Sequence, residues 1–192
     1  MRFLLEKITD EFAIREIARQ TKIDYKLVHS TIQKLVQKNI LIKKRQANVD
    51  LCSLNLKADL TTTYYVEMLR TKEFLDDHSE MKTFFTNVLK NLKTLYYTLI
   101  VFGSFAKGKE TRTSDLDVII IAPTRAIGEE VERMMSHESL FLKRKMQTVV
   151  LDEVEFVENL ASKKLNVVVE AFKNHIIIAG MEGFYNGVKQ AL

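Results

Sequence analysis

The apolar positions change period several times along the chain, and each change marks an element. Ile14, Ile17 and Ala18 follow i, i+3, i+4 spacing, which predicts a short amphipathic helix over 13–20. After a brief turn at 21–23, Asp24 stands where it can cap a second helix by accepting from the free N–H groups of the first turn. Val28, Ile32, Leu35 and Val36 form the buried stripe of that helix. Residues 40–46 and 51–56 read as two strands joined by a turn at 47–50. Residues 60–95 read as helical, with Tyr64, Tyr65, Met68 and Leu69 on one apolar face and Phe84, Phe85, Val88, Leu89 and Leu92 on another; 72–80 is a polar break. The aromatics at 64, 65, 84 and 85 are expected in the core.

Beyond residue 95 the period changes. Continuous apolar runs at 96–102, 117–122 and 146–151 predict buried strands, with a helix over about 127–142 between the last two. The tail, 153–192, reads as mostly helical, interrupted by an apolar run at 175–179. The expected fold class is α+β, with mixed α/β character. Its predicted organisation is an N-terminal helical and hairpin domain (1–60), a helical connector (61–95) and a C-terminal domain with a small mixed sheet flanked by helices (96–192).

Composition narrows the function classes. Of 192 residues, 46% are hydrophobic and 28% charged, ordinary values for a globular protein with a core. No run of about 18 apolar residues occurs, so no membrane span is expected. The N-terminus reaches Glu6 before any sustained apolar stretch, which predicts no secretory signal. The single cysteine, Cys52, has no internal disulfide partner, and a reducing, cytoplasmic setting is the expectation. His29, His78, His137 and His175 show no ligand spacing with one another or with Cys52. The net charge of +4 is unevenly placed: residues 1–60 carry 12 Lys/Arg against 7 Asp/Glu, and residues 96–156 carry 8 against 10. The basic end suits either a nucleic-acid contact or a solvated face.

The stretch richest in chemistry is Gly103-Ser104-Phe105-Ala106-Lys107-Gly108, which follows an apolar run. Ten residues separate Ser104 from Asp115-Leu116-Asp117, which open a second apolar run. Side chains two apart on a strand share a face, which places Asp115 and Asp117 only ~7 Å apart along the chain. Two such carboxylates repel and raise each other's pKa unless a cation lies between them. Oxygen ligands of this kind suit Mg²⁺, which prefers carboxylates together with substrate phosphates. Gly103 lets backbone approach a ligand closely, Ser104 adds a hydroxyl, and Lys107, Lys109 and Arg112 are placed to neutralise a polyphosphate.

In these residues the sequence resembles the nucleotidyltransferase superfamily of the DNA polymerase beta type, especially its minimal members. Gly103, Ser104, Asp115 and Asp117 match that signature, and Lys107 stands where the longer form of the motif has arginine. The resemblance covers about residues 80–155. It implies Mg²⁺ or Mn²⁺ held by Asp115 and Asp117, and a nucleoside triphosphate held at Gly103, Ser104, Lys107, Lys109 and Arg112. It also implies attack by an acceptor hydroxyl on the α-phosphorus, with pyrophosphate leaving. A third carboxylate is implied on a later strand, and its position falls on Gln147, which offers a carbonyl oxygen but neither charge nor a useful base. Asp152, Glu153 and Glu155 are expected to open the following helix, where acids favour the helix dipole.

Residues 14–56 resemble winged helix-turn-helix DNA-binding domains. The resemblance implies that the second helix enters the major groove of double-stranded DNA, presenting Tyr25, Lys26, His29, Ser30, Gln33 and Lys34. The hairpin would offer Lys43, Lys44, Arg45 and Gln46 to phosphates. Use of this module for dimerisation or protein contact is the alternative. Three functions therefore stand open: an enzyme moving a nucleoside monophosphate to a hydroxyl, a transcriptional regulator that uses the transferase fold to sense nucleotide or contact a protein, and one half of a toxin–antitoxin-like pair in which a small transferase modifies a partner protein. The helices at 60–95 offer a surface for homodimer formation.

Overall fold

The computed structural model describes residues 1–94, 96–162 and 164–192, which fold as two compact units, 1–66 and 67–192. Among the described residues there are ten helices and seven strands, a mixed α+β architecture.

The first unit runs α1 (Arg2–Leu5), β1 (Phe12–Ala13), α2 (Ile14–Thr21), α3 (Tyr25–Gln37), β2 (Leu41–Gln46) and β3 (Val49–Leu54). Asp24 caps α3 as its side chain predicts, accepting from the amides of Lys26 at 2.9 Å and Leu27 at 3.2 Å. Ile14, Ile17, Ala18, Val28 and Ile32 are buried, together with Leu41, Cys52 and Leu54. The three strands form an antiparallel sheet in the order β1-β3-β2, with Gln46 opposite Val49, so the hairpin turn is only Ala47-Asn48. The elements α1 and β1 carry no sequence period because they are four and two residues long.

The second unit takes residues from Glu67 onward in α4 (Thr61–Asp77), then α5 (Ser79–Asn91), β4 (Thr98–Phe102), α6 (Gly103–Ala106), β5 (Leu116–Ala122) and α7 (Arg125–Ser139). It continues with β6 (Met146–Asp152), α8 (Glu153–Ala161), α9 (Val167–Lys173), β7 (Ile176–Ala179) and α10 (Met181–Ala191). Its sheet has the order β6-β5-β4-β7, with β5 and β6 parallel and the other pairs antiparallel. One sheet face, through Leu99, Val101, Val118 and Ile120, packs in a core with Phe84, Phe85 and Val88 of α5 and Val131 and Met135 of α7. By strand alternation, Asp117, Ile119 and Ile121 lie on the opposite face. Asp152 and Glu155 form a reciprocal capping box at the start of α8, which assigns those acids to a helix terminus.

Helix α4 differs from its sequence-based prediction. Tyr65 and Met68 are each 60% exposed and Leu69 is also exposed, whereas Thr63, Glu67, Arg70, Thr71 and Phe74 are buried. The buried face is mostly polar, and a search for apolar spacing selects the wrong side. Those polar groups find partners inside. The Thr71 hydroxyl donates to the Ile177 carbonyl at 2.7 Å, and Arg70 Nη2 donates to the His175 carbonyl at 2.9 Å. The expected polar break over 72–80 shrinks to His78, because charged residues on a solvated face do not end a helix. There Asp76 accepts from both Lys72 and Lys82.

Candidate functional site

Strand register builds the site. Asp117 is the second residue of β5 and lies opposite Phe102 of β4 on one side and Gln147 of β6 on the other. Phe102 is followed at once by Gly103, which opens α6 with φ 71°, a left-handed conformation that glycine adopts without the Cβ penalty. A Cβ on Gly103 would stand 2.2 Å from Asp117 Oδ2. Glycine is thus required twice, by its backbone angle and by the carboxylate against it. Asp115 lies just before β5, and its Oδ2 accepts from Gln147 Nε2 at 2.8 Å. Gln147 thus stands beside both aspartates.

The electrostatics are those of an uncompensated acidic pair. Burial, and then the charge of Asp115, push the Asp117 carboxyl above its usual range. Ionising Asp117 is therefore costly, and a divalent cation held by the two carboxylates would remove that cost. The donor set fits such an ion: two carboxylates, backbone bare of a Cβ, and an amide carbonyl on Gln147 when its side chain turns. Among the described residues no group of three or more His, Cys, Asp or Glu is gathered to hold a metal. The remaining ligands of a hard cation at this position would come from substrate oxygens and water.

The other predicted site residues are distributed as follows. Ser104 is half-buried in the first turn of α6, where helix N–H groups lack intrahelical partners, and its carbonyl accepts from the Lys109 amide at 3.0 Å. Lys109 and Arg112 are exposed on the loop between α6 and β5. Lys107 is drawn aside, since its ammonium pairs with Glu170 of α9, a partner 63 residues away. The Lys107 hydrogen bond and charge hold the Glu170 carboxyl below its usual range. Nothing along the chain marks Glu170 as a partner, because α9 carries no motif. A cavity of about 440 Å³ lined by Tyr96, Pro123, Glu153, Phe156 and Asn186 includes Thr98 and Ile121, at the far ends of β4 and β5 from the aspartates, and contains none of these residues.

Residues 85–178 match the family model described as nucleotidyltransferase domain. No curated protein and no solved structure matches the chain. The matched nucleotidyltransferase domain runs from within α5 to β7, and so includes all four strands of the second sheet, the Gly103-Ser104 turn and both aspartates. The mixed α+β architecture is consistent with a nucleotidyltransferase fold. No helix among the described residues is long and apolar enough to cross a membrane.

Replacing Gly103 by alanine is expected to cost about 1–3 kcal/mol for the forced left-handed backbone and to displace the Asp117 carboxylate. Thermal melts of the native chain and Gly103→Ala check this: the variant melts lower.

In the first unit, Tyr25, His29 and Arg45 line a cleft of about 350 Å³ together with Arg15, Asn48 and Asp50. Lys26, Ser30 and Lys34 are exposed along α3 and Gln33 is half-buried. The hairpin is less basic than its sequence suggests, because Asp50 accepts from Arg45 at 3.2 Å and pairs with Lys43 at 3.5 Å. The Arg45 hydrogen bond leads in holding the Asp50 carboxyl low. Lys44 alternates to the opposite strand face, away from Asp50.

Proposed function

We propose that the second unit binds a nucleoside triphosphate with Mg²⁺ or Mn²⁺ at Asp115 and Asp117 and transfers its nucleoside monophosphate to an acceptor hydroxyl. The observation that carries this reading is the Asp117 carboxylate wedged against Gly103, with Asp115 beside it. When bound, the divalent ion supplies charge neutralisation across the triphosphate and the two carboxylates. Asp115 and Asp117 would hold that ion and through it place the reacting phosphate, the first amides of α6 and the Ser104 hydroxyl donate to its oxygens, and Lys109 and Arg112 balance the outer phosphates. The acceptor oxygen bonds to the α-phosphorus, the bond from that phosphorus to the bridging oxygen breaks, and pyrophosphate leaves. The hydroxyl proton goes to solvent, because Gln147 is no base.

The hydrogen bond from Gln147 to Asp115 favours a second reading, in which the domain holds nucleotide with little turnover. In both readings the first unit is a winged helix-turn-helix that binds double-stranded DNA. Support comes from the helix pair α2–α3, the basic exposed face of α3 and the β2–β3 hairpin beside it. Labelled ATP, CTP, GTP and UTP, each with Mg²⁺ or Mn²⁺, separate the two. Label moving to protein or nucleic acid, and absent in Asp115→Asn/Asp117→Asn, supports transfer. Calorimetric binding with no label moved supports the regulator, and neither binding nor label contradicts both.

A further inference from the structure

The loop between α6 and β5, residues 107–115, carries Lys109, Arg112 and Asp115, and it is gripped from outside the motif at two points. At the first, His78, the residue between α4 and α5, sits with its ring centroid 4.6 Å from that of Phe74 and 5.5 Å from that of Phe105. Its Nδ1 lies 2.8 Å from the Phe74 carbonyl and its Nε2 3.1 Å from Glu110 Oε1. At the second, the Arg144 guanidinium stacks 4.9 Å from the Phe105 ring centroid, and its Nη1 donates to the Ser114 carbonyl at 3.1 Å. Its Nε stands 3.6 Å from Glu80 Oε2. Glu110 and Ser114 lie near the two ends of the loop segment that bears Arg112.

The two grips differ in chemistry. A carbonyl oxygen only accepts, so His78 Nδ1 carries a hydrogen. Nε2 faces the Glu110 carboxylate, which accepts. The Arg144 guanidinium is a planar fork that stacks on Phe105 while it donates to the Ser114 carbonyl. Burial opposes the Glu110 charge, but the His78 hydrogen bond and the charges of His78 and Arg144 outweigh it and hold the carboxyl low.

We propose that His78 and Arg144 are positioning residues that clamp the 107–115 loop from outside the motif. This inference deepens the nucleotide-binding reading and rests on it for its consequence: with the clamp open, Lys109 and Arg112 are no longer held for the triphosphate.

Amide hydrogen exchange on the full chain tests the clamp directly. The amides of Lys109, Thr111 and Ser114 are bonded within the loop region, so their protection factors report its order. In His78→Phe the ring stacking remains but the bond to Glu110 is gone, and the loop is expected to lose roughly tenfold protection, the equivalent of one charge-assisted hydrogen bond, while Ile120 in β5 holds steady. In Glu110→Gln the amide still bonds to Nε2, so the loop stays near native protection. A loop indifferent to His78→Phe overturns the proposal. Calorimetry with Mn²⁺ and a non-hydrolysable nucleoside triphosphate is the second arm. Weaker binding in His78→Phe but not in Glu110→Gln supports the positioning role, and a loosened loop with unchanged affinity overturns it. Should no nucleotide bind under any condition, the nucleotide reading fails while the exchange data still decide the clamp.

Discussion

Glu67→Ala is expected to destabilise the second unit by about 3–5 kcal/mol, the cost of leaving a buried ion pair with one partner. Glu67 is 0% exposed and accepts from Arg70 Nη1 and from the Tyr185 hydroxyl, each at 2.8 Å, with His175 Nε2 3.3 Å away. Arg70 and His175 are themselves buried. Without the carboxylate, the buried Arg70 guanidinium loses its counter-charge and the Tyr185 hydroxyl its acceptor. Domains are stable by only about 5–15 kcal/mol, so this one side chain governs a large share. Burial alone would raise the Glu67 carboxyl, but the hydrogen bond and charge of His175, then Arg70 and Tyr185, outweigh it and set the net direction downward. A lowered carboxyl contributes stability that is present above its unfolded value and lost as pH falls through its folded one. Acid unfolding below the ordinary carboxylate range is the corollary. Urea midpoints for the native chain and Glu67→Ala at neutral pH check the first statement; a loss under about 1 kcal/mol contradicts the role of a buried counter-charge.

The second large effect separates activity from stability. Asp117→Asn is expected to cut nucleotidyl transfer by about a hundredfold or more, the scale on which removing one electrostatic stabiliser acts. The same substitution is expected to leave the melting temperature of the metal-free protein unchanged or raised. The Asp117 carboxyl is raised by burial and by the Asp115 charge, so its ionised form is disfavoured in the fold, and a neutral amide of the same shape relieves that strain. The added stability belongs to the metal-free form at neutral pH and disappears as pH falls and Asp117 takes up its proton. Transfer assays and melts on the same two samples check both halves. A variant that loses activity only by unfolding contradicts the assignment.

The candidate site is local in sequence, which is why much of it is legible there. A strand, a Gly-Ser turn and an Asp-x-Asp strand occupy one antiparallel pair, and the β5–β6 register follows from two apolar runs that bring Gln147 opposite Asp117. The contacts that sequence reading misses are those between distant polar residues. Lys107 and Glu170, His78 and Glu110, and Arg70 and the His175 carbonyl are partners across 63, 32 and 105 positions. Charge alone does not say which residues pair. Helix α4 fails for a related reason: its inward face is polar, and hydrophobic spacing has no term for a buried carboxylate that finds three donors. The hairpin shows the same limit, since Asp50 pairs with two of the cations, Lys43 and Arg45, and offsets part of their charge.

Crystals soaked with Mn²⁺ and a non-hydrolysable nucleoside triphosphate, measured at the manganese absorption edge, test the reading of the acidic pair most directly. The expected result is an anomalous peak within coordination distance of both Asp115 and Asp117, with the triphosphate lying along Gly103 and Ser104. Manganese bound elsewhere, or Asp115 still bonded to Gln147 with no metal beside it at saturating concentration, would contradict it.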